Sequence, residues 1–221
     1  MMNLYTAVKV ALPSIILCAS FHVQATTFSN EFNGGELGYL GATGSTTYGE
    51  TFTSPGGVLN DFTLYASSGY GTSNYGTGYV GFGIAAWDGT KAVGPALYTS
   101  APIPYSGKTK AFEATGLNLA LPLNKEYVAY LTVAGIQNPV YFVRMQGSNN
   151  NGELTGNHVY SNAVDPLNAS QPWGVDKTYY MRFTANFTNN TIPVPEPETY
   201  AMLLAGLGIV GFAGRRRFKS A

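Results

Sequence analysis

The chain has 221 residues with 12 basic and 12 acidic side chains, so its formal net charge is zero. Residues 26–190 hold seven Lys and Arg against ten Asp and Glu, and this net charge of −3 argues against a nucleic acid partner. A single cysteine, Cys18, excludes a disulfide framework and a thiolate metal site.

The N-terminal segment has the order of a secretory signal peptide. Lys9 precedes an apolar run at 10–21, and Val23-Gln24-Ala25 places small residues where a signal peptidase reads them. We predict a signal helix within residues 1–25 and cleavage after Ala25. The domain that follows is then expected to fold outside the cytoplasm.

The body that follows consists of short β-branched and aromatic runs separated by glycine, asparagine and proline, without an amphipathic stretch of helical length. Side chains alternate within the runs, since Phe62 and Leu64 share one face while Thr63 and Tyr65 share the other. The pattern predicts strands at 27–32, 50–53, 59–66, 79–87, 96–99, 110–114, 127–133, 140–146 and 178–187. Long polar loops are predicted at 34–49, 67–78 and 147–157. We predict an all-β domain over residues 26–190, an antiparallel two-sheet sandwich that is jelly-roll-like.

The body lacks the motifs typical of nucleophilic catalysis and of metal binding. His158 is its only histidine, and no Gly-x-Ser-x-Gly elbow is present to position a serine nucleophile. The acidic residues also lack the Asp-x-Asp-x-Asp spacing of a calcium loop. We therefore expect no enzyme activity, no catalytic residue, no metal and no cofactor, and we expect His158 to be a solvated loop residue.

The aromatic residues suggest a binding function as the alternative. Rings on the rim of a β-sandwich can stack on the apolar faces of sugar rings, and Trp87 and Trp173 are the strongest candidates for such glycan contacts. Both would instead be core residues if their rings point inward. A carbohydrate-binding module is therefore one alternative function. A weak glycoside hydrolase is another, because two of the ten carboxylates could converge on a glycosidic bond.

The C-terminal segment has three parts in a fixed order. Val194-Pro195-Glu196-Pro197 lies in a Pro-rich tether at 191–199, where the prolines favour an extended chain. Residues 200–214 are predicted to form a transmembrane helix. Its uncharged run at 200–213 would span roughly 21 Å, which is short for a hydrocarbon core of about 30 Å. Arg215, Arg216 and Arg217 open a basic tail at 215–221 that is expected to stay in the cytoplasm. A buried core helix with a solvated basic end is the alternative.

This order of proline-flanked glutamate, apolar helix and arginine cluster resembles the PEP-CTERM sorting signal of Gram-negative bacteria. The resemblance rests on Pro195, Glu196, Pro197 and the three arginines, while residues 218–221 extend beyond the commonest pattern. The phrases at 52–59, 86–89, 94–98 and 127–131 are similar to those of uncharacterised ectodomains that precede such tails, and they imply no activity.

The resemblance implies a route and a partner. An exosortase-like membrane enzyme would process a precursor held in the inner membrane, and the protein would reach the cell surface or the extracellular matrix. The role expected there is structural or adhesive and linked to exopolysaccharide.

Overall fold

The computed structural model describes residues 24–41, 44–67, 77–154, 156–189 and 203–208. Residues Val23–Asn190 form one compact unit, and its described part consists of antiparallel strands with a 3-10 turn at Pro166–Asn168. The strands are β1 (Gln24–Ser29), β2 (Gly35–Leu40), β3 (Thr47–Thr53), β4 (Val58–Ala66), β5 (Thr77–Trp87), β6 (Ala92–Thr99), β7 (Ile103–Ser106), β8 (Lys110–Ala114), β9 (Leu119–Ala120), β10 (Glu126–Thr132), β11 (Val143–Ser148), β12 (His158–Ser161), β13 (Gly174–Asp176), β14 (Tyr180–Met181) and β15 (Phe183–Asn189).

These strands form two antiparallel sheets. The first sheet follows the order β1-β15-β4-β11-β14, with β2 paired to β11 and with β8 and β9 paired to β4. The second sheet follows the order β13-β12-β3-β10-β5-β6, with β7 paired to β5. The prediction of an all-β domain with two antiparallel sheets is therefore confirmed.

The core lies between the two sheets because alternate residues of each strand point inward. Phe62 and Leu64 of the first sheet are fully buried, whereas Thr63 and Tyr65 keep partial exposure, as the alternation predicts. Phe52 of the second sheet contacts Phe62 across the interface, with ring centroids 5.1 Å apart. Each such buried ring contributes about 1.5–3 kcal/mol through removal of apolar surface from water.

Several short strands differ from the prediction. β2 lies inside the predicted loop at 34–49, and β7, β9, β12 and β13 lie between the predicted strands. The predicted strand at 178–187 is interrupted at Arg182, whose N–H donates to the carbonyl oxygen of Gln146 at 2.7 Å. β2, β7, β9, β12 and β13 have two to six residues and are held in place by pairing with strands that are distant in the sequence, so the local sequence predicts them poorly.

The two ends of this unit lie side by side. β1 and β15 are antiparallel neighbours, with Gln24 opposite Asn189 and Ala25 opposite Thr188. The chain thus enters and leaves the unit on adjacent strands of the first sheet.

Residues 203–208 belong to a separate unit and form a short helix with exposed Leu203, Leu204 and Leu207. This helix lies within the predicted helix at 200–214, whose other residues fall outside the described ranges. No helix among the described residues has the length and apolar character needed to cross a membrane. The predicted tether at 191–199, the tail at 215–221 and most of the signal helix also fall outside these ranges.

Candidate functional site

The predicted sorting residues fall mostly beyond the described part of the chain. Val194, Pro195, Glu196 and Pro197 lie there, as do Arg215, Arg216 and Arg217. Ala25 is described and lies exposed in β1, on the strand pair that contains both ends of the unit. Cleavage after Ala25 would leave residues 26–29 of β1 paired with β15.

The structure brings Trp87 and Trp173 together. Their ring centroids are 5.5 Å apart with an interplanar angle of 80°, an edge-to-face arrangement. Trp173 is only 4% exposed, while Trp87 is half-buried. The burial of Trp173 favours a core role for that ring, and the glycan contact of the pair stays a prediction.

Trp173 anchors the segment at 162–173, which we call the covering loop, against the outer face of the second sheet. Its ring packs edge-on against Tyr130, and its Nε1–H donates to the carbonyl oxygen of Pro166 at 3.2 Å. Lys91 adds a hydrogen bond from Nζ to the carbonyl oxygen of Ala169 at 2.8 Å. Burial, with a smaller contribution from Asp165, raises the pKa of Tyr130 to about 12. The phenol is therefore neutral and supports packing.

Glycine at position 83 permits the close packing beneath this cluster. A Cβ added to Gly83 of β5 would lie 2.3 Å from Cζ of Tyr130 on neighbouring β10. Only a residue without a side chain lets the Tyr130 ring lie over the β5 backbone in this position.

A cleft of about 340 Å³ opens where β12 leads into the covering loop and where the loop returns to β13. Tyr160, Ser161 and Asn162 line one side. Ser170, Gln171 and Gly174 contribute to the other. Tyr160 is 38% exposed, and its ring lies over Gly174, where an added Cβ would be 2.2 Å from Cζ. The Tyr160 ring lies on the same face of the sheet as Tyr48 and His158, with ring centroids 6.1 and 6.3 Å from theirs. The residues that the covering loop adds to the cleft carry amide and hydroxyl groups.

A second polar cluster is enclosed between the sheets. Glu50 of β3 and His158 of β12 are direct cross-strand partners, and they are 0% and 4% exposed. Glu50 Oε2 accepts a hydrogen bond from the Met181 N–H at 2.8 Å. Within the described part of the chain, Glu50 Oε1 and both ring nitrogens of His158 make no hydrogen bond. The His158 ring stacks on Tyr48 at 5.0 Å.

Enclosure shifts both acid–base equilibria toward the neutral forms. Burial raises the pKa of Glu50 well above its ordinary value, partly countered by the Met181 hydrogen bond. Burial lowers the pKa of His158 to about 4, partly countered by Asp176. The expectation of a solvated loop histidine was therefore wrong. The short strand β12 pairs with β3 and carries His158 inward.

The sequence analysis also did not predict the burial of Glu50, although the pattern of β3 indicates it. Tyr48, Glu50 and Phe52 alternate along β3, so a strand that buries the two aromatic rings must also bury the carboxyl group. Among the described residues, no group of three or more His, Cys, Asp or Glu side chains is arranged to hold a metal ion.

Comparison with known proteins identifies the C-terminal segment. Residues 193–217 match the PEP-CTERM protein-sorting motif, a range that contains the proline-flanked glutamate and the arginine cluster. No curated protein and no solved structure matches the chain. The molecule is thus an all-β protein with two antiparallel sheets. Its PEP-CTERM motif indicates exosortase-dependent sorting of an exported protein.

Proposed function

We propose that this protein is a structural or adhesive component of the cell surface or extracellular matrix, associated with exopolysaccharide and without enzyme activity. The observation that carries the proposal is the sorting motif at residues 193–217. An exosortase-like enzyme in the inner membrane would be the processing partner. The exported body at 26–190, with jelly-roll-like connectivity, would be the part that acts outside the cell.

The precursor would be held at both ends before processing. The signal helix would direct export and be removed after Ala25, while residues 200–214 would enter the membrane with residues 215–221 in the cytoplasm. Arginine stems can lie along the apolar boundary while the guanidinium groups reach the headgroups, so a helix shorter than the bilayer core is tolerated. The prolines at 193, 195 and 197 would keep the tether extended and open to the processing enzyme.

The test replaces Arg215, Arg216 and Arg217 together with glutamine in the native host. Neutral residues no longer hold the segment in the membrane with the tail inside, so we expect loss of processing and of surface delivery. Cell fractions are compared by immunoblot for the size and location of the protein.

Replacement of the same three residues by lysine is the matched control, because it preserves the charge and should preserve delivery. A second pair compares Glu196→Ala in the motif with Glu153→Ala, an exposed glutamate of the body. Unchanged size and location of the glutamine variant would count against the proposal.

A further inference from the structure

We propose that the outer face of the first sheet binds an acidic sugar unit of a polysaccharide, with the sugar carboxylate on the guanidinium group of Arg182. The inference rests on the proposed function in taking polysaccharide as the material that the exported body meets, and it names the chemical class of that polysaccharide. The site, which we call the arginine face, consists of Tyr39, Tyr65, Arg144, Gln146 and Arg182.

The side chains of the arginine face point away from the core. The residues that flank them in sequence include six that are at most 1% exposed: Leu64, Ala66, Val143, Met145, Met181 and Phe183. Because alternate residues of a strand point to opposite faces, Tyr65, Arg144 and Gln146 lie on the outer face. Arg182 lies there too, since its side chain contacts Tyr65 and Gln146. Tyr39 is 49% exposed and contacts Arg144 from β2.

Arg182 is held in place by Gln146 and Tyr65. Its Nη1–H donates to Gln146 Oε1 at 2.7 Å, and its Cζ lies 4.2 Å from the centroid of the Tyr65 ring. Gln146 is only 6% exposed, and its Nε2–H donates to the Ala66 carbonyl oxygen at 3.4 Å, which directs the amide oxygen to Arg182. The Tyr65 hydroxyl shares a hydrogen bond with Thr184 Oγ1 at 3.1 Å. The guanidinium group therefore loses little freedom when it binds an anion.

The two arginines of this face differ in their charge partners. Arg144 forms an ion pair with Glu36. Within the described ranges, the guanidinium group of Arg182 makes no ion pair, and Gln146 is its hydrogen-bond acceptor. A guanidinium group has five N–H donors in a planar fork that matches the two oxygens of a carboxylate. Arg182 therefore favours an anionic ligand with a planar acid group.

The remaining carboxylates of the outer face lie farther from Arg182. Asp61 precedes Tyr65 by four residues on β4, which places it about 14 Å along the strand. Glu113 lies opposite Thr63 on β8, and β4 separates it from Arg182 by about 10 Å across the sheet. Charges at these separations are largely screened at physiological ionic strength, where the Debye length is about 8 Å. The positive charge at Arg182 is therefore locally uncompensated, although the body as a whole is acidic.

Tyr39 supplies a ring for a neighbouring sugar unit. A sugar presents an apolar C–H face that stacks on an aromatic ring. The Tyr39 ring is fixed, because Arg144 lies 5.2 Å from its centroid and donates from Nη2 to its hydroxyl at 3.0 Å. Phe142 packs against it edge-on with ring centroids 5.7 Å apart. Tyr39 and Arg182 lie on opposite sides of β11, so a saccharide chain that crosses this strand meets both.

The test measures binding of the full chain, in a polyoxyethylene detergent, to immobilised polymers by biolayer interferometry. Glutamine replaces Arg215, Arg216 and Arg217 in every protein, because a basic tail would bind any polyanion. Alginate and polygalacturonate are the acidic polysaccharides, dextran is the neutral one, and polyglutamate presents carboxylates without sugar rings. We expect binding to at least one acidic polysaccharide, and binding at least about tenfold weaker to dextran and to polyglutamate.

Matched variants assign the contact to Arg182. Arg182→Gln should weaken binding about tenfold, because it removes the charge and the paired hydrogen bonds. Arg182→Lys keeps the charge without the planar fork, so its affinity should lie between the two. Lys108→Gln removes an exposed cation outside the arginine face and should change nothing. Tyr39→Ala should weaken binding about threefold, whereas Tyr179→Ala, at another exposed tyrosine, should not.

The proposal is overturned if neither acidic polysaccharide binds, if dextran or polyglutamate binds as tightly, or if Arg182→Gln binds as its parent does. Circular dichroism checks the fold of every variant. Should Arg182→Gln fail to fold, unchanged binding of Tyr39→Ala overturns the proposal instead. Binding by the purified protein does not depend on its delivery, so this result is independent of the sorting experiment.

Discussion

Glu50 and His158 place two titratable side chains in the interior of the sandwich without a hydrogen bond between them. Unpaired buried polar atoms cost roughly 1–3 kcal/mol each, so the pair weakens the fold locally. The stacking of His158 on Tyr48 offsets part of that cost. The free energy of unfolding should therefore depend on pH through the titration of these two residues.

His158 should make the protein sensitive to acid. The unfolded chain binds a proton on this residue below about pH 6.5, whereas the folded protein binds it only near pH 4. The free energy of unfolding should fall as the pH is lowered from 6.5 to 4, by about 3 kcal/mol from this group. Replacement by phenylalanine keeps the ring stacked on Tyr48 and removes the titration.

Urea denaturation of the full chain at intervals between pH 7 and pH 4 measures this effect. As the pH is lowered from 7 to 4, the free energy of unfolding of His158→Phe should increase relative to that of the wild type. Parallel curves for the two proteins would show that His158 is protonated equally in the folded and unfolded states.

Glu50 should give the free energy of unfolding the opposite pH dependence. Its folded pKa is raised, so its contribution is complete below about pH 4.5 and is lost as the pH rises toward the folded pKa. Glu50→Gln keeps an acceptor for the Met181 N–H and removes the ionisation. The variant should gain stability relative to the wild type above pH 4.5, at up to about 1.4 kcal/mol per pH unit.

The same denaturation series checks this prediction, with Glu113→Gln as the exposed control. The control should track the wild type at every pH. A constant difference between Glu50→Gln and the wild type would contradict the raised pKa.

Sequence alone predicted the inward residues of the long strands but not this pair. Phe62, Leu64 and Phe183 follow a clear alternation, which only one packing can satisfy. His158 follows Gly156 and Asn157 in a segment typical of a loop, and it becomes buried only because β12 pairs with β3. Burial of this kind depends on a partner 108 positions earlier in the chain, which local patterns do not report.

At the scale of elements, the covering loop depends on Trp173. Its ring fills the space between Trp87, Tyr130 and the loop, and its Nε1–H satisfies the Pro166 carbonyl oxygen. Trp173→Ala should lower the free energy of unfolding by about 3–5 kcal/mol, because it leaves a cavity and an unpaired carbonyl group. Trp87→Ala should cost less, since that ring is only half-buried.

Urea denaturation followed by far-UV circular dichroism measures both changes. Equal losses in the two variants would contradict the anchoring role of Trp173. Loss of near-UV signal in both variants would report the broken edge-to-face pair.

The longer elements were more predictable than the connections. β8 has the predicted bounds, and β4, β5 and β10 differ from prediction by one or two residues at either end. The cleft could not be predicted, because Tyr160 and Gln171 come together only when the covering loop folds back beside β12. Long-range pairing places these residues, so their proximity is a property of the whole sheet.

At the scale of the whole molecule, the folded body and the sorting motif are separate segments of the chain. The body buries its core between two antiparallel sheets, and its first and last strands are neighbours. The motif at 193–217 follows the last strand and indicates the export route. The motif could be predicted from the sequence because it is defined by residues that lie close together in the chain.

We propose that both ends of the chain are processed on the way out of the cell. Intact-mass spectrometry of the protein recovered from the cell surface or the culture medium of the native host tests it most directly. We predict a chain that begins at Thr26 and lacks the apolar segment at 200–214 together with the arginines that follow. Recovery there of a chain that still ends at Ala221 would contradict the account.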